Sequence, residues 1–312
     1  MSIETVIKSP AKTVIIGADH PFVIIGERIN PTGRKMLAVE LQAGDFSRVR
    51  ADAIAQVEAG AQILDINAGL GVANPHEVEP EVMTEAIRTV QEVVDVPICI
   101  DSSVIPALVA GLKAAWGKPI VNSVTGEQHS METILPLVAA RGAAVIAVTS
   151  DEGGISYDPL VRFEVARKIV EKANSYGIPA EDVLVDPLAM PAGAIPGSGA
   201  HILEMVRLIR DDLGCNTTCG ASNISFGLPN RKTLNAHFVS MLIAGGMPCA
   251  ITNPLEPEII MAVRAANALM GNDENCMAWI TLQRQQAANQ PDGQTPTSAR
   301  GGRRARSRRR GN

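Results

Sequence analysis

The sequence has few aromatic residues and no long apolar run, and each absence excludes a class of protein. Aromatic residues make up 3% of the 312 residues although 46% are hydrophobic, so the apolar mass is mainly Ala, Val, Ile and Leu. This composition favours interleaved strands and helices over a β-sandwich. No apolar run reaches the roughly 18 residues that a membrane span requires. The N-terminus lacks the basic segment and apolar core of an export signal, so we expect a cytoplasmic protein.

The cysteines form no zinc-binding motif. Their number is odd, and they are Cys99, Cys215, Cys219, Cys249 and Cys276. Three of them lie in predicted strands or at strand edges, so buried reduced thiols are expected. Cys215 and Cys219 could be read as a metal pair, but no Cys-x-x-Cys or nearby His completes a zinc set. We predict no metal site.

The arginines concentrate at the C-terminus. Residues 298–312 contain seven arginines and no acidic residue, so the rest of the chain is more acidic than the net charge of −5 indicates. The composition of residues 284–312 cannot bury a core. We predict a folded domain over residues 1–280 and a disordered basic tail over residues 281–312. The tail could be a phosphate-binding arm, but no aromatic residue for base stacking lies among its arginines, so we do not expect nucleic acid as a partner.

A strand–loop–helix rhythm repeats along most of the chain. The predicted strands are short apolar runs, as expected when both faces are buried. Counting from the strand before Glu27, there are eight strands, each followed by a helix. Eight such units in about 250 residues predict a single-domain α/β fold, the (β/α)8 TIM barrel. The alternative, a doubly wound open sheet, would usually show a Gly-rich phosphate turn after its first strand, and none is present. The earlier run Val14–Gly17 is predicted as a small strand that closes the bottom of the barrel.

Short polar residues follow the predicted strands. In chain order they are Glu27, Asp65 with Asn67, Asp101, Asn122, Thr149, Asp186, Asn223 and Asn253. The carboxyl ends of barrel strands converge on one cavity. This ring offers carboxylates and amides but no His, Cys or Lys, which argues against covalent and metal chemistry. It suits a flat heterocycle that carries several N–H donors and ring acceptors.

The alternative interpretation is that these residues cap the helices that follow them. Asp101 and Asn122, each followed by serine, could both do so. Capping does not explain polar residues at all eight strand ends, nor the Gly- or Pro-containing loops after Asp65 and Asp186. We therefore prefer the binding site. Asn223 is the leading candidate for the reacting centre of this site. It lies where a strand, predicted to run to about Ile224, is followed by a loop.

Six segments at the spacing of the βα units carry a family resemblance. They are Gly26–Asn30, Leu64–Gly69, Ile100–Ser102, Asn122–Ser123, Val185–Leu188 and Ser222–Ser225. The chain resembles the pterin-binding methyltransferases over about residues 22–270. More narrowly, it is similar to the methyltetrahydrofolate:corrinoid-protein methyltransferases and to the folate domain of cobalamin-dependent methionine synthase. Each segment alone is weak, but six in the same order are a specific signal.

The resemblance implies roles for the ring. Asn223 would approach N5 of methyltetrahydrofolate, the nitrogen that carries the methyl group, and Asp65 is the second catalytic candidate. The implied pterin- and folate-binding residues are Glu27, Asn67, Asp101, Asn122, Asp186, Ser222 and Arg231. Some corrinoid/iron–sulfur-protein members carry Gln where this chain has Phe226, so the role of that Gln is not transferred.

The chemistry of methyl transfer agrees with an amide at N5. A tertiary amine leaves poorly, so N5 needs positive charge or a hydrogen-bond donor as the methyl group departs. An amide donates without being protonated at neutral pH, whereas a free Asp, with a pKa of about 3.9, is mostly ionised. Burial could raise the pKa of Asp65 or Asp186 enough for direct acid catalysis. The ring supplies no strong nucleophile, which fits a cob(I)alamin acceptor.

The resemblance also implies a partner. The usual corrinoid mark, Asp-x-His-x-x-Gly, occurs at none of the five histidines, so we expect a corrinoid-binding protein in trans, with tetrahydrofolate as substrate and a homodimeric enzyme. Two alternatives remain open. A dihydropteroate synthase-like enzyme would show Asp-Pro-Gly with a Lys and a basic Ser-Arg-Lys motif, but Asp186 is followed by Pro-Leu-Ala-Met. A non-catalytic pterin- or RNA-binding protein would use the arginine tail.

Overall fold

The computed structural model describes residues 3–288. Its strands are β1 (Thr5–Lys8), β2 (Thr13–Ile16), β3 (Val23–Ile29), β4 (Ile63–Asn67), β5 (Ile98–Asp101), β6 (Ile120–Thr125), β7 (Ala144–Val148), β8 (Val183–Asp186), β9 (Asn216–Thr217) and β10 (Cys249–Thr252). Its α-helices are α1 (Lys35–Gln42), α2 (Ser47–Ala59), α3 (Pro75–Gln91), α4 (Ile105–Ala114), α5 (Gln128–Arg141), α6 (Pro159–Ser175), α7 (Ser198–Leu208), α8 (Arg231–Ala244), α9 (Pro257–Met270) and α10 (Met277–Ala288). None of these helices is long and apolar enough to cross a membrane.

Strands β3 to β10 form a parallel barrel. Each pairs with the next in chain order from β3 to β9, and β10 pairs with β3. A parallel bridge between Gly220 and Ile251 brings the chain after β9 beside β10, and the Ile251 amide donates to the Cys219 carbonyl over 2.9 Å. The predicted TIM barrel is confirmed.

The β1–β2 hairpin closes the amino-terminal end of the barrel. Its strands pair antiparallel, and Ile7 and Ile16 are fully buried among the side chains inside the barrel. The Asn216 amide, at the start of β9, donates to the Ile16 carbonyl over 2.9 Å and to the Thr5 hydroxyl over 3.1 Å. The small strand predicted at Val14–Gly17 is confirmed as β2. The hairpin therefore covers the end of the barrel opposite to the carboxyl ends of its strands.

Two apolar layers support the strands. The inner layer includes Ile25, Ile63, Cys99 and Leu184, and the outer layer lies between the strands and the surrounding helices. Strands that are buried on both faces explain the apolar runs in the sequence, since neither face has to be polar.

The last part of the barrel differs from the prediction. The strand expected to continue to about Ile224 ends at Thr217, and Ala221–Ser225 form a 3-10 turn. The backbone N–H of Asn223 donates to the Gly220 carbonyl over 3.1 Å, the short-range pattern of such turns. Ser and Asn side chains compete for backbone groups and disfavour regular strands, which explains the error.

Two helices were absent from the predicted pattern. Helix α1 forms within the loop after β3, and α10 continues to Ala288, past the predicted start of the tail at residue 281. The predicted tail beyond that point, residues 289–312, lies outside the described residues.

Candidate active site

Four polar side chains from β4, β5 and β6 form one hydrogen-bonded group, which we call the β4–β6 cluster. The strand register places Asn67 beside Asp101 and Asp101 beside Asn122. The Asn67 amide donates to Asp101 over 2.9 Å, and the Asn122 amide donates to Asp65 over 3.2 Å. The parallel register therefore brings together four residues that are far apart in the sequence.

The carboxyl groups of Asp65 and Asp101 each affect the pKa of the other. Burial raises the pKa of Asp65 well above its usual range, and the nearby Asp101 carboxylate raises it further. Burial also raises the pKa of Asp101, while hydrogen bonds from Asn67 and Asp65 oppose that rise. Asp65 is only 2% exposed, so it is the carboxyl group that keeps the proton and donates it toward Asp101.

Asp186 ends β8 and lies apart from the β4–β6 cluster. Its carboxylate accepts from the Leu188 amide over 2.7 Å and from the Gly220 amide. Burial raises the pKa of Asp186 to about 7, against the opposing effect of these amides and of Arg162. This carboxyl group therefore titrates close to neutral pH.

Glu27 connects β3 with the turn after β9. The Ser222 hydroxyl donates to the Glu27 carboxylate over 2.8 Å. Burial raises the pKa of Glu27, and the Ser222 hydrogen bond partly offsets this rise. Glu27 lies within β3 rather than at its end, beside a register irregularity between Gly26 and Ile29. Glu27 is thus joined to the turn after β9 by the Ser222 hydrogen bond.

Arg231 supports the 3-10 turn. It is the first residue of α8, and its guanidinium donates to the Ser222 carbonyl over 2.8 Å and to the Ser225 hydroxyl over 3.0 Å. The same guanidinium lies 5.9 Å from the ring centroid of Phe226. Arg231 thus holds the turn that carries Ser222 and Asn223.

Asn223 has an exposed side chain within this turn. No hydrogen bond to its amide group is formed by residues 3–288, whereas the backbone carbonyl of Asn223 accepts from the Phe226 amide over 3.1 Å. The backbone is therefore anchored while the side-chain amide keeps both its donors and its acceptor for a ligand.

The capping interpretation is not supported for the ring. None of Asp65, Asp101, Asn122 and Asp186 precedes a helix as its N-cap residue. Instead, the Ser102 hydroxyl accepts from the Val104 amide over 3.0 Å ahead of α4. These four acidic and amide groups therefore have no role in starting the helices that follow them.

Two members of the predicted ring have local structural roles. The Thr149 hydroxyl donates to the Asp186 carbonyl over 3.0 Å. The Asn253 side chain accepts from the Leu255 amide over 3.1 Å. In residues 3–288, no group of three or more His, Cys, Asp or Glu side chains is arranged to hold a metal ion.

Arg162 is a buried residue near the site that the strand-end pattern did not identify. It lies in α6, is 2% exposed, and donates to the Leu188 carbonyl over 3.1 Å and to the Pro187 carbonyl. A helical-face analysis could have found it, because Arg162, Val165, Ala166 and Ile169 have the spacing of one buried helix face.

A family model described as "Pterin binding enzyme" matches residues 26–253, which include every residue of the ring up to Asn253. The chain belongs to the pterin-binding enzyme family. The chain is 35% identical to the methylcorrinoid:tetrahydrofolate methyltransferase of Eubacterium limosum over 84% of its own length and 96% of that protein. This similarity supports an enzyme of the methyltransferase class.

The chain is also similar to a methionine synthase in sequence and to a dihydropteroate synthase in fold. The methionine synthase of Mycobacterium leprae is 32% identical over 77% of this chain, which spans only 21% of that longer protein. The dihydropteroate synthase of Vibrio fischeri has a TM-score of 0.65 and 16% identity, covering 85% of this chain and 98% of the synthase. At that identity the likeness shows a common fold alone.

Proposed function

We propose that this enzyme transfers a methyl group between N5 of methyltetrahydrofolate and the cobalt of a corrinoid that is carried by a separate protein. The observation that carries the proposal is the half-buried β4–β6 cluster, with Asp186 and the free side-chain amide of Asn223 at the same end of the barrel. The similarity to a methylcorrinoid:tetrahydrofolate methyltransferase over most of both chains supports it. The name of that relative favours tetrahydrofolate as the methyl acceptor.

The ring matches the hydrogen-bonding edge of a pterin. A pterin presents an amino group and ring N–H donors beside ring nitrogen and carbonyl acceptors. Asp101 and Asp186 would accept from the donors, and Asn122 would both donate and accept. Asn67 orients Asp101 through its amide, and Glu27 with Ser222 would line the side nearest the 3-10 turn.

Asp65 and Asn223 would act at N5. Transfer to the corrinoid breaks the bond between N5 and the methyl carbon, the bonding electrons stay on N5, and the methyl carbon bonds to cobalt(I). N5 then needs a proton, which the Asp65 carboxyl group can supply because its pKa is raised. In the reverse direction N5 attacks the methyl carbon and the Asp65–Asp101 pair takes the N5 proton. The Asn223 amide would donate a hydrogen bond that strengthens as the N5–methyl bond breaks.

The test is a methyl-transfer assay with the purified chain. Methyltetrahydrofolate with cob(I)alamin, and tetrahydrofolate with methylcobalamin, are followed by the change in the cobalamin absorption spectrum. We expect transfer with free cobalamin and faster transfer with a corrinoid-binding protein. Absence of transfer in both directions, with free and with protein-bound corrinoid, would refute the proposal. A homodimer, which the family resemblance predicts, is checked by sedimentation of the same sample.

The two alternatives are decided by parallel assays. Formation of dihydropteroate from a dihydropterin pyrophosphate and 4-aminobenzoate would support the hypothesis of a dihydropteroate synthase-like enzyme. Deletion of residues 298–312 tests the hypothesis of a nucleic-acid-binding protein, because it removes the seven tail arginines. We expect full methyl transfer after this deletion, whereas a nucleic-acid-binding protein would lose its binding.

A further inference from the structure

Arg162 has an environment that packing alone does not explain. Its side chain is among the largest that are fully buried, yet residues 3–288 place no carboxylate within ion-pair distance of it. Its Nε group is buried without a hydrogen-bond partner in the same part of the chain. Burying a cation without a direct counter-ion costs stability. A role beyond packing would account for retaining this charge.

The two groups that Arg162 binds belong to the loop after β8. Its guanidinium donates to the carbonyls of Pro187 and Leu188, the two residues that follow Asp186. Leu188 has a φ of 60°, a left-handed conformation that a branched side chain adopts only at a cost. Hydrogen bonds from Arg162 on one side and the bond from the Leu188 amide to Asp186 on the other hold this conformation.

The charge of Arg162 also acts on Asp186. Its positive charge opposes the rise in the pKa of Asp186 that burial causes. Burial lowers the pKa of Arg162, and the negative charges of Asp186 and Asp158 oppose that decrease. Burial raises the pKa of the neighbouring Cys219 and Cys249 thiols, and the charge of Asp186 raises the pKa of both further. Burial raises the pKa of Cys249 to about 12, so this thiol stays neutral near pH 7.

We propose that Arg162 is a positioning residue for pterin recognition, which holds the loop Asp186–Leu188 in place and sets its positive charge near the Asp186 carboxylate that meets the ligand. This rests on the proposed function in one respect, since Asp186 is assumed to accept hydrogen bonds from the pterin. The step from Arg162 to Asp186 does not depend on the ligand. It can therefore be tested on the free protein.

The experiment follows the Asp186 carboxyl group by carbon-13 NMR in protein labelled at aspartate, with the signal assigned by its loss in Asp186→Asn. In the wild-type protein we expect a midpoint at about pH 7, the value to which burial raises the pKa of Asp186. In Arg162→Gln the midpoint should rise by about one pH unit, because the favourable charge is gone. Arg162→Lys keeps the charge, so its midpoint should stay near the wild-type value. An unchanged midpoint in Arg162→Gln, or a rise in Arg162→Lys as large as in Arg162→Gln, would overturn the proposal.

The ligand-bound readout separates positioning from a purely structural effect. The Kd for methyltetrahydrofolate should increase about fivefold at pH 7 in Arg162→Gln and recover at pH 9, where Asp186 is ionised in both proteins. A loss of equal size at both pH values would assign Arg162 to structure alone. Arg167→Gln is the matched control, because Arg167 lies on the same helix, has a side chain that is 41% exposed, pairs with Glu164 and lies over the Phe163 ring. If the wild-type protein bound no folate, the proposed function would fail, and the NMR titration would still decide the role of Arg162.

Discussion

The carboxyl group of Asp65 hydrogen-bonds to that of Asp101 on the neighbouring strand. Both carboxyl groups are buried, and the charge of Asp101 adds to burial in raising the pKa of Asp65. Both groups therefore keep their protons to a higher pH than a free aspartate, because ionising both would place two like charges together in a poorly solvated site. In the proposed reaction, this pair would supply the proton that N5 needs.

Asp65→Asn should slow methyl transfer from methyltetrahydrofolate to cob(I)alamin about 100-fold, because the variant has no acid to protonate N5. In the wild-type protein the rate should fall as the pH rises through the upper pKa of the pair, and this decline should be missing in the variant. Stopped-flow absorbance between pH 6 and pH 9 measures both effects. A normal rate with a normal pH profile would exclude Asp65 as the acid.

Asp101→Asn is the matched comparison for this pair. It removes the neighbouring negative charge, so the pKa of Asp65 should fall and the decline in rate should move to lower pH. Folate affinity should also fall, since Asp101 is a proposed pterin ligand. A pH profile that stays in place would show that the two carboxyl groups do not interact.

Asn223→Ala should reduce methyl transfer about 100-fold and weaken folate binding by less than about tenfold, because the amide is proposed to act mainly as N5 loses its methyl group. Its side chain is exposed and without a hydrogen bond in the described part of the chain. The free energy of unfolding should therefore change by less than about 0.5 kcal/mol. Single-turnover rates, folate titration and urea unfolding measure the three quantities.

Asn253→Ala is the control for Asn223. The Asn253 side chain also lies at the carboxyl end of a strand. Its amide oxygen, however, accepts a hydrogen bond from the backbone N–H of Leu255. We expect near-normal methyl transfer and a stability loss of about 1 kcal/mol. If both variants lost activity equally, a general disturbance of the barrel opening would explain the result better than a role at N5.

The barrel could be predicted from the sequence because its strands are buried on both faces. Ala144–Val148 is wholly apolar, Ile63–Asn67 is apolar except for Asp65 and its last residue, and helices such as Pro257–Met270 have clear breaks at Gly and Pro. Once eight units are counted, the fold brings the strand ends together. The convergence of Asp65, Asp101 and Asn122 follows from the register alone.

The rest of the site could not be predicted from the polar residues at the strand ends. The turn that carries Asn223 forms through short-range backbone bonds, which small polar residues allow but do not require. Arg162 reaches the loop after β8 from a helix, across the outer apolar layer. The raised pKa values depend on how deeply each carboxyl group is buried, which residue order does not specify.

Phe226→Ala should weaken the interaction with the corrinoid protein and leave transfer to free cobalamin unchanged. Its ring is 66% exposed and lies beside Arg231, next to the turn that carries Asn223. An exposed aromatic side chain at the mouth of a site commonly contributes about 1–2 kcal/mol to a protein interface, so KM for the corrinoid protein should rise about tenfold. Steady-state assays with free and protein-bound corrinoid measure the difference.

Leu269→Ala is the matched control for Phe226. Leu269 is 85% exposed and lies near the end of α9, which in a (β/α)8 barrel is the end away from the site. Its KM for the corrinoid protein should be unchanged. If Phe226→Ala reduced transfer to free cobalamin and folate affinity together, the ring would contact the folate rather than the partner.

Asp186→Asn should stabilise the protein above about pH 7 and have less effect at low pH. Burial raises the pKa of Asp186 to about 7, so the folded state binds more protons than the unfolded state between about pH 4 and 7. Wild-type stability from this group is therefore present below about pH 4 and lost as the pH rises through about 7. One pKa unit corresponds to about 1.4 kcal/mol, which sets an upper limit of about 4 kcal/mol for the gain at pH 8.

Asp273→Asn should show the opposite dependence. The Asp273 carboxylate accepts from the Ala278 and Trp279 amides at the start of α10, and these bonds lower its pKa. Its stabilising effect is present above its usual pKa and is lost as the pH falls, so the variant should be less stable at pH 8. Urea unfolding of Asp186→Asn at pH 5 and pH 8, and of Asp273→Asn at about pH 3 and pH 8, gives the four differences, because the Asp273 effect is lost only below the usual pKa of an aspartate, about 3.9. If Asp186→Asn changed the free energy of unfolding equally at its two pH values, ionisation of Asp186 would not destabilise the folded protein near neutral pH.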